Sequence, residues 1–348
     1  MRYTEAYWES VGSAISSIPH AGRLAGKKVL VTGANGMICS AVVDALMCLN
    51  DRLGLGVGIY AASRSRERLA NRFGKCTERD DFFFVEYDAL KPFCFEGRLD
   101  FIIHGAGNAD PKAIMAEPVE TMAANIEGTR QLLEYAARHT DCRLLYVSSS
   151  EVYGKRQSRE PYKEGDYGYV DLLDPRSCYP SAKRAAETLC VSYNKEYATD
   201  TVIVRPGHVY GPTMTARDSR ASSQFAREAM DGKDIVMKTP GTQLRSYCYV
   251  VDCATAILAV LLNGNSGEAY NISNRDSVVT IRQMAEAFAE AGGVRLVFEA
   301  ATEAEMSGYN AMDNSSLDAS KLESLGWKAL TNMEEGAAVT IKSKKVKE

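Results

Sequence analysis

The sequence has no excess of either charge, no apolar run long enough to span a bilayer, and no paired spacing of cysteines or histidines. Each absence removes a class of protein. Lys and Arg total 41 against 45 Asp and Glu, a formal charge of −4, so there is no electrostatic footprint for nucleic acid or for an anionic membrane. A spanning helix needs about 20 consecutive apolar residues, which occur nowhere. The first residues lack the basic, apolar and small-residue order of a secretory leader, so we expect a cytoplasmic chain with no membrane partner. The nine cysteines are scattered without Cys-x-x-Cys pairs or neighbouring histidine pairs. That argues against a disulfide framework and against any metal site, and for reduced, mostly buried thiols. Repeats, low-complexity tracts and flexible linkers are also missing. What remains is a 348-residue chain, 45% hydrophobic and 25% charged, with the balance of a globular protein of one large domain or two sharing a cleft.

The stretch Val29 to Ser40 organises the rest. An apolar run (Val29, Leu30, Val31) stops at Gly33, Gly36 follows, and from Met37 apolar residues recur at helical spacing through Val42, Val43, Leu46 and Met47. This predicts strand, tight turn and helix. Gly33 permits the sharp turn, Gly36 lets backbone N–H groups approach a pyrophosphate, and the helix start behind them offers unpaired donors. Cys39 stands at the third small position of the motif. A second strand, Gly56 to Ala62, ends in Ser63-Arg64-Ser65-Arg66 with no acid to hold an adenosine ribose, which tilts the reading toward NADP. Arg64 could equally stack on adenine or open a solvated basic helix. A third strand, Phe82 to Val85, precedes Asp88, placed to touch adenine or to cap a turn. Phe101 to His104 is a fourth, followed by Gly105-Ala106-Gly107. A helix spans Met122 to Ala137 with Asn125 near its start, and Leu144 to Val147 is a fifth strand emptying into Ser148-Ser149-Ser150-Glu151-Val152-Tyr153-Gly154. Alternation at this spacing predicts an α/β fold with a doubly wound, mostly parallel sheet whose ligands bind beyond the strand ends.

Tyr179-Pro180-Ser181-Ala182-Lys183 opens a helix to about Tyr197. Tyr179 and Lys183, four apart, share a face. An ammonium beside a phenol favours the phenolate, so we expect the Tyr179 pKa to fall from about 10 toward a usable base. Val202 to Arg205 is a sixth strand. A less regular region follows: a helix around Ser223 to Met230, an edge strand near Ile235, Arg245 to Val250, a helix from Asp252 to Leu262, a strand Tyr270 to Ile272, a helix Ile281 to Ala291, a strand Leu296 to Glu299, and a short helix and turn from Leu317 to Trp327. The N-terminal pattern of Trp8, Ile15 and Ile18, ending at Pro19, reads as an arm lying on the body.

In order along one chain, Thr32 to Ile38, Asp88, Asn125, Ser148 to Gly154, Tyr179 to Lys183, Arg205-Pro206 with Tyr210-Gly211-Pro212, Arg245 to Asp252 and Leu317 to Trp327 resemble the extended short-chain dehydrogenase/reductase family, and within it the nucleotide-sugar epimerases, dehydratases and decarboxylases. The resemblance implies a Rossmann-type sheet with a smaller, interleaved C-terminal α+β substrate domain. The division it suggests is a NAD(P)-binding unit over 1–205, including an arm over 1–26, and a mainly substrate-binding unit over 206–348, with 245–263 returning to the first. Tyr179 is implied as the base at the sugar C4 hydroxyl, Lys183 as the group holding the nicotinamide ribose, and Ser149 as a donor to the reacting oxygen. NAD or NADP, held by Gly33, Asn35, Gly36, Met37, Ile38, Arg64, Asp88, Ala106, Asn125, Tyr179 and Lys183, would take the hydride and return it without leaving. His208, Gln224 and Arg245 fall on the substrate side. The pair Ser150-Glu151 resembles that of UDP-glucuronate decarboxylases, and a carboxylate is suited to proton transfer beside a ketone; the plainer alternative has Glu151 bonding loop backbone. 4-Epimerisation, 4,6-dehydration and a net NADP-dependent reduction are the competing activities.

Several positions depart from the family pattern. His208 replaces an asparagine before Tyr-Gly-Pro and could be a charged phosphate donor. The segment Tyr162 to Pro175 reads as a lid, a substrate wall or a surface loop. Arg245 matches a diphosphate-binding arginine, or else forms a buried ion pair with Asp252 or another acid. The family implies a homodimer through the helices starting near Met122 and Tyr179.

Overall fold

Residues 3–300 and 313–343 are described in the computed structural model. The first half alternates short strands and helices: α1 (Glu5–Ala14), β1 (Lys28–Thr32), α2 (Met37–Leu53), β2 (Gly58–Ser63), α3 (Arg66–Phe73), β3 (Phe82–Glu86), β4 (Phe101–His104), α4 (Pro111–Ala116), α5 (Pro118–Arg138), β5 (Arg143–Val147), α6 (Cys178–Tyr197) and β6 (Thr201–Pro206). Near-continuous apolar runs such as Val29–Val31 and Val202–Val204 are buried on both faces, as strands of a parallel sheet covered by helices must be. The sheet has seven strands, all parallel where they pair, in the order β10-β6-β5-β4-β1-β2-β3. The order reverses between β1 and β4, which places a crevice beyond the carboxyl ends of these strands.

β10 (Ala269–Ile272) closes the sheet beside β6, so a strand from the later chain re-enters it alongside α8 (Val250–Asn263), a mostly apolar helix buried almost throughout and packed on α2. The remaining elements are β7 (His208–Tyr210), α7 (Ala221–Met230), β8 (Ile235–Met237), β9 (Leu244–Tyr249), β11 (Val278–Thr280), α9 (Ile281–Gly292), β12 (Leu296–Phe298), β13 (Asn314–Ser315), α10 (Ser320–Glu323) and α11 (Met333–Lys342). β9 is the spine of a second sheet: its first half pairs with β11 and β13, and its second half with β7. β8 and β12 pair in parallel.

α5 begins at Pro118, a turn earlier than the apolar pattern suggests. Proline suits the first helical turn, where its missing N–H is no loss, and the exposed Val119 carries no burial signal. The arm is a docked helix. Tyr7 of α1 donates to Asp44 of α2 at 2.5 Å, and Arg72 of α3 pairs with the same fully buried carboxylate. No helix of the described residues is long and apolar enough to cross a membrane.

Candidate active site

The glycine turn forms because its backbone must do what side chains prevent. Gly33 has φ +69°, and a Cβ there would come within 2.9 Å of the Gly105 carbonyl, so the turn after β1 and the turn after β4 touch. Gly36 is the N-cap of α2 with no side-chain cap, so the first-turn N–H groups of Met37 and Ile38 point outward unpaired. Cys39 packs its sulfur directly over Gly105, where any Cβ on that glycine would overlap it. The cysteine thus fills the space its departure from glycine creates, and a glycine opposite accommodates it. Ser63 donates to Asn35 at 3.1 Å, fixing the turn against the end of β2, while Arg64 is exposed. Thr32 accepts from the Ala106 N–H at 3.2 Å. Asn125 is fully buried behind Gly107, its amide donating to the Thr121 carbonyl and its oxygen accepting from Tyr146. Asp88 is half-buried and accepts from the Leu90 N–H, the turn-capping alternative. A cradle of close glycines under an uncapped helix start, with a buried lysine beyond it, fits a dinucleotide.

The reactive group lies at the end of β5. Ser149 caps a short 3-10 turn, Ser150–Tyr153, accepting from the Glu151 N–H at 3.2 Å, and its hydroxyl acts on the Tyr179 phenol in the direction that favours the phenolate. Tyr179 and Lys183 are both buried on one face of α6. The expected lowering of the Tyr179 pKa is not what the structure produces: it is pushed up to about 12, first by burial and then by the Glu151 carboxylate. Lys183 does not counter this. Its Nζ lies 5.8 Å from the Tyr179 ring centroid and donates to the Val147 carbonyl at 2.8 Å, and burial lowers its own pKa to about 8. Glu151 accepts from Arg176 at 2.8 Å, with both side chains about one-third exposed, so the carboxylate faces a guanidinium and not loop backbone. Ser150 is half-buried and makes no side-chain hydrogen bond among the described residues.

Arg176 and Arg220 are the residues sequence reasoning missed. Arg176 sits one turn before Tyr179, a spacing that could have flagged it. Arg220, held by Asp218 at 2.9 Å and 2.5 Å, rests its guanidinium on the Met37 sulfur at 3.0 Å and bears electrostatically on both Tyr179 and His208. His208 is not charged: burial, and then the guanidiniums of Arg245 and Arg220, push its pKa down to about 3. Its Nδ1 has no partner among the described residues. Arg245 is 3% exposed. It donates to the Leu244 carbonyl, forms no ion pair among the described residues, and burial lowers its pKa. The alternative partner, Asp252, instead accepts from the Leu330 and Thr331 N–H groups at 3.3 and 2.9 Å. Gln224 is not brought to this group. It is exposed on α7, its amide donating to Glu228 at 2.9 Å.

Tyr162 to Pro175 is a loop that starts at the buried Tyr162, which bridges Leu317, and runs out to the surface. Lys155 bridges Tyr169, and Arg184 of α6 donates to the carbonyls of Val152, Tyr153 and Gly168. Beyond Tyr169 the loop exposes Leu172 and Leu173.

A parallel sheet of this order, with a glycine turn at its point of reversal, defines a dinucleotide-binding enzyme class. The model of the NAD dependent epimerase/dehydratase family matches residues 29–273, and the chain belongs to that family of NAD-dependent enzymes. It is 30% identical over 318 residues to UDP-glucuronic acid decarboxylase 1 of Xenopus tropicalis, covering 90% of this chain and 71% of the relative. It is 34% identical over 247 residues to UDP-glucuronic acid decarboxylase 3 of Arabidopsis thaliana, covering 71% and 69%. Among solved structures it is similar to a UDP-glucuronic acid 4-epimerase from Bacillus cereus in complex with a fluorinated UDP-glucuronic acid and NAD, with TM-score 0.75, 21% identity, and coverage of 90% and 98%.

Proposed function

We propose that this chain decarboxylates a UDP-glucuronate-type nucleotide sugar through oxidation at C4. The observation that carries the reading is the Glu151–Arg176 pair, whose carboxylate bears on Tyr179 as Ser149 does. An acid and a guanidinium flanking the tyrosine suit a substrate that has its own carboxylate next to the carbon being oxidised. The names of the relatives in sequence point the same way.

The residues that would hold NAD are the turn Gly33 to Ile38, Asn35 with Ser63, the Gly105–Gly107 turn backed by Asn125, and Lys183 at the nicotinamide end. When bound, NAD would supply the acceptor for the C4 hydride and its later return, and its positively charged nicotinamide would favour the Tyr179 phenolate, whose pKa burial and Glu151 otherwise hold up at about 12. Tyr179 takes the C4 hydroxyl proton, and Ser149 donates to the oxygen as it becomes a carbonyl. The uronate is then a β-keto acid. The bond from C5 to the carboxyl carbon breaks, carbon dioxide leaves, and the electron pair moves onto the C4 oxygen, where Ser149 and protonated Tyr179 hydrogen-bond the enolate. Arg176 pairs with the substrate carboxylate before this step; after it C5 takes up one proton from solvent, relayed by the one-third-exposed Glu151, and on return of the hydride Tyr179 gives its proton back to the C4 oxygen. Arg245 and the neutral His208 ring receive the diphosphate; a buried guanidinium without a carboxylate partner is compensated by such an anion.

Incubation with UDP-glucuronate and mass analysis of the product tests this. Loss of carbon dioxide supports it. Unchanged mass with altered chromatography selects 4-epimerisation, which the likeness to the UDP-glucuronic acid 4-epimerase favours as the second reading. Stoichiometric consumption of added NADPH selects the net reductase. We also read residues 1–205 as the cofactor unit and 206–348 as mainly the sugar-nucleotide side, with α8 and β10 returning to the first. The outer faces of α5 and α6, exposing Met122 and Val191, are our candidate homodimer surface. The nine free cysteines support a reducing cytoplasmic setting.

A further inference from the structure

A strap, residues 211–220, leaves the second sheet after β7 and crosses to the cofactor side at three points. Thr213 donates its hydroxyl to the Met37 carbonyl at 2.8 Å, and Arg220 places Nη2 3.0 Å from the Met37 sulfur. Ser219 donates both its backbone N–H and its hydroxyl to one oxygen of Asp110, each at 2.7 Å. Met37 starts the helix behind the glycine turn, and Asp110 ends the loop that begins with Gly105. These are the two turns that touch at Gly33, so the strap spans the mouth between the backbones that would flank a pyrophosphate. The other Asp110 oxygen accepts from the Lys112 and Ala113 N–H groups, which fixes the carboxylate's orientation. Burial works to raise the Asp110 pKa, yet the Ser219 and Ala113 hydrogen bonds hold it below the usual carboxylate range, so it is ionised and accepts strongly near neutrality.

We propose that Asp110 is a positioning residue that latches the 211–220 strap across the cofactor and sets how slowly NAD leaves. An enzyme that lends a hydride to its own product must not release the reduced cofactor mid-cycle, and a strap closed by polar contacts to both flanking turns supplies that retention. The inference rests on the family's use of NAD and on the proposed return of the hydride, and is independent of which sugar is transformed.

The test is NADH dissociation, followed by loss of its bound fluorescence on displacement with excess NAD, in full-length protein without substrate. An amide at position 110 can satisfy the helix start or Ser219 but not both. Asp110→Asn therefore loses charge-assisted hydrogen bonds, and dissociation is expected to quicken about tenfold. Ser219→Ala leaves the helix cap untouched and removes one donor; it is expected to quicken release about threefold, with unfolding temperature unchanged. In the double variant the two effects should be strongly non-additive. Unchanged dissociation in Ser219→Ala, or additive effects in the double variant, would overturn the latch and leave Asp110 as a helix cap. Wild-type protein that binds no NADH would overturn the cofactor assignment and the latch together, whereas decarboxylation is not read by this experiment.

Discussion

Lys183 stands in the folded protein as a buried ammonium whose pKa has fallen from the ordinary 10.5 to about 8. Below pH 8 it is charged in both folded and unfolded chains, and the burial penalty on the charge is fully present. Between about 8 and 10.5 the unfolded chain binds more protons, so stability should rise with pH across that window. Lys183→Met should consequently abolish turnover yet stabilise the cofactor-free protein at pH 7 by about 1–2 kcal/mol, the relieved penalty less the lost bond to Val147. Denaturant unfolding against pH checks both the sign and the window. Glu151 is the second cause of the high Tyr179 pKa. Glu151→Gln should lower kcat roughly 10²–10³-fold and move the acid limb of the pH–rate profile to lower pH, because the phenolate no longer faces a neighbouring anion. Tyr179 and Lys183 were legible as a pair because a four-residue helical spacing is a local pattern, while Ser149 was picked out of three serines by the family resemblance. The direction of the Tyr179 shift was not legible, since it depends on burial and on where the Lys183 ammonium points, and neither is written in a spacing.

At the scale of elements, the contact of α2 with the β4 turn turns on one pair. Gly105→Ala should destabilise the protein by about 1–3 kcal/mol because its methyl would overlap the Cys39 sulfur. The same substitution in a Cys39→Gly background should be far milder, and a thermal double-mutant cycle measures the coupling. The loop before α6 is anchored through Arg205 of β6. This arginine forms a bidentate pair with Glu187 at 2.9 and 2.6 Å and also donates to Tyr153 and the Glu164 carbonyl. Glu187→Gln should cost about 3–5 kcal/mol by leaving a buried guanidinium without its counter-ion, read in denaturant unfolding. Six strands of the parallel sheet and their helices were visible as apolar runs alternating with 3.6-residue periodicity. α11 was passed over although Asn332 and Glu335 form a capping box at its start. Its partly exposed, alanine-rich face gives a weak apolar stripe, and the polar start signal was the better guide.

Across the whole molecule, the site is a meeting of two sheets, and this is where sequence reading ran out. Ser219 and Asp110 are 109 residues apart, and Arg245 comes toward His208 only because β9 pairs with β7 in register, His208 opposite Tyr247. Pairings at such separations are decided by packing and leave no periodic trace. Gln224 lies apart from these residues for a similar reason, since the side of α7 it occupies is set by what that helix packs against. Arg245→Met should raise KM for the nucleotide sugar by roughly 100-fold with a small change in kcat. It should also leave the protein at least as stable, because the buried charge it removes has no carboxylate partner among the described residues. The central claim, C4 oxidation followed by decarboxylation with hydride return, is tested most directly with UDP-glucuronate carrying deuterium at C4, turned over in excess unlabelled NAD. The account predicts a product that has lost carbon dioxide and still carries the deuterium at C4. Deuterium appearing in the free NADH pool, or a product that keeps its carboxylate, would contradict it.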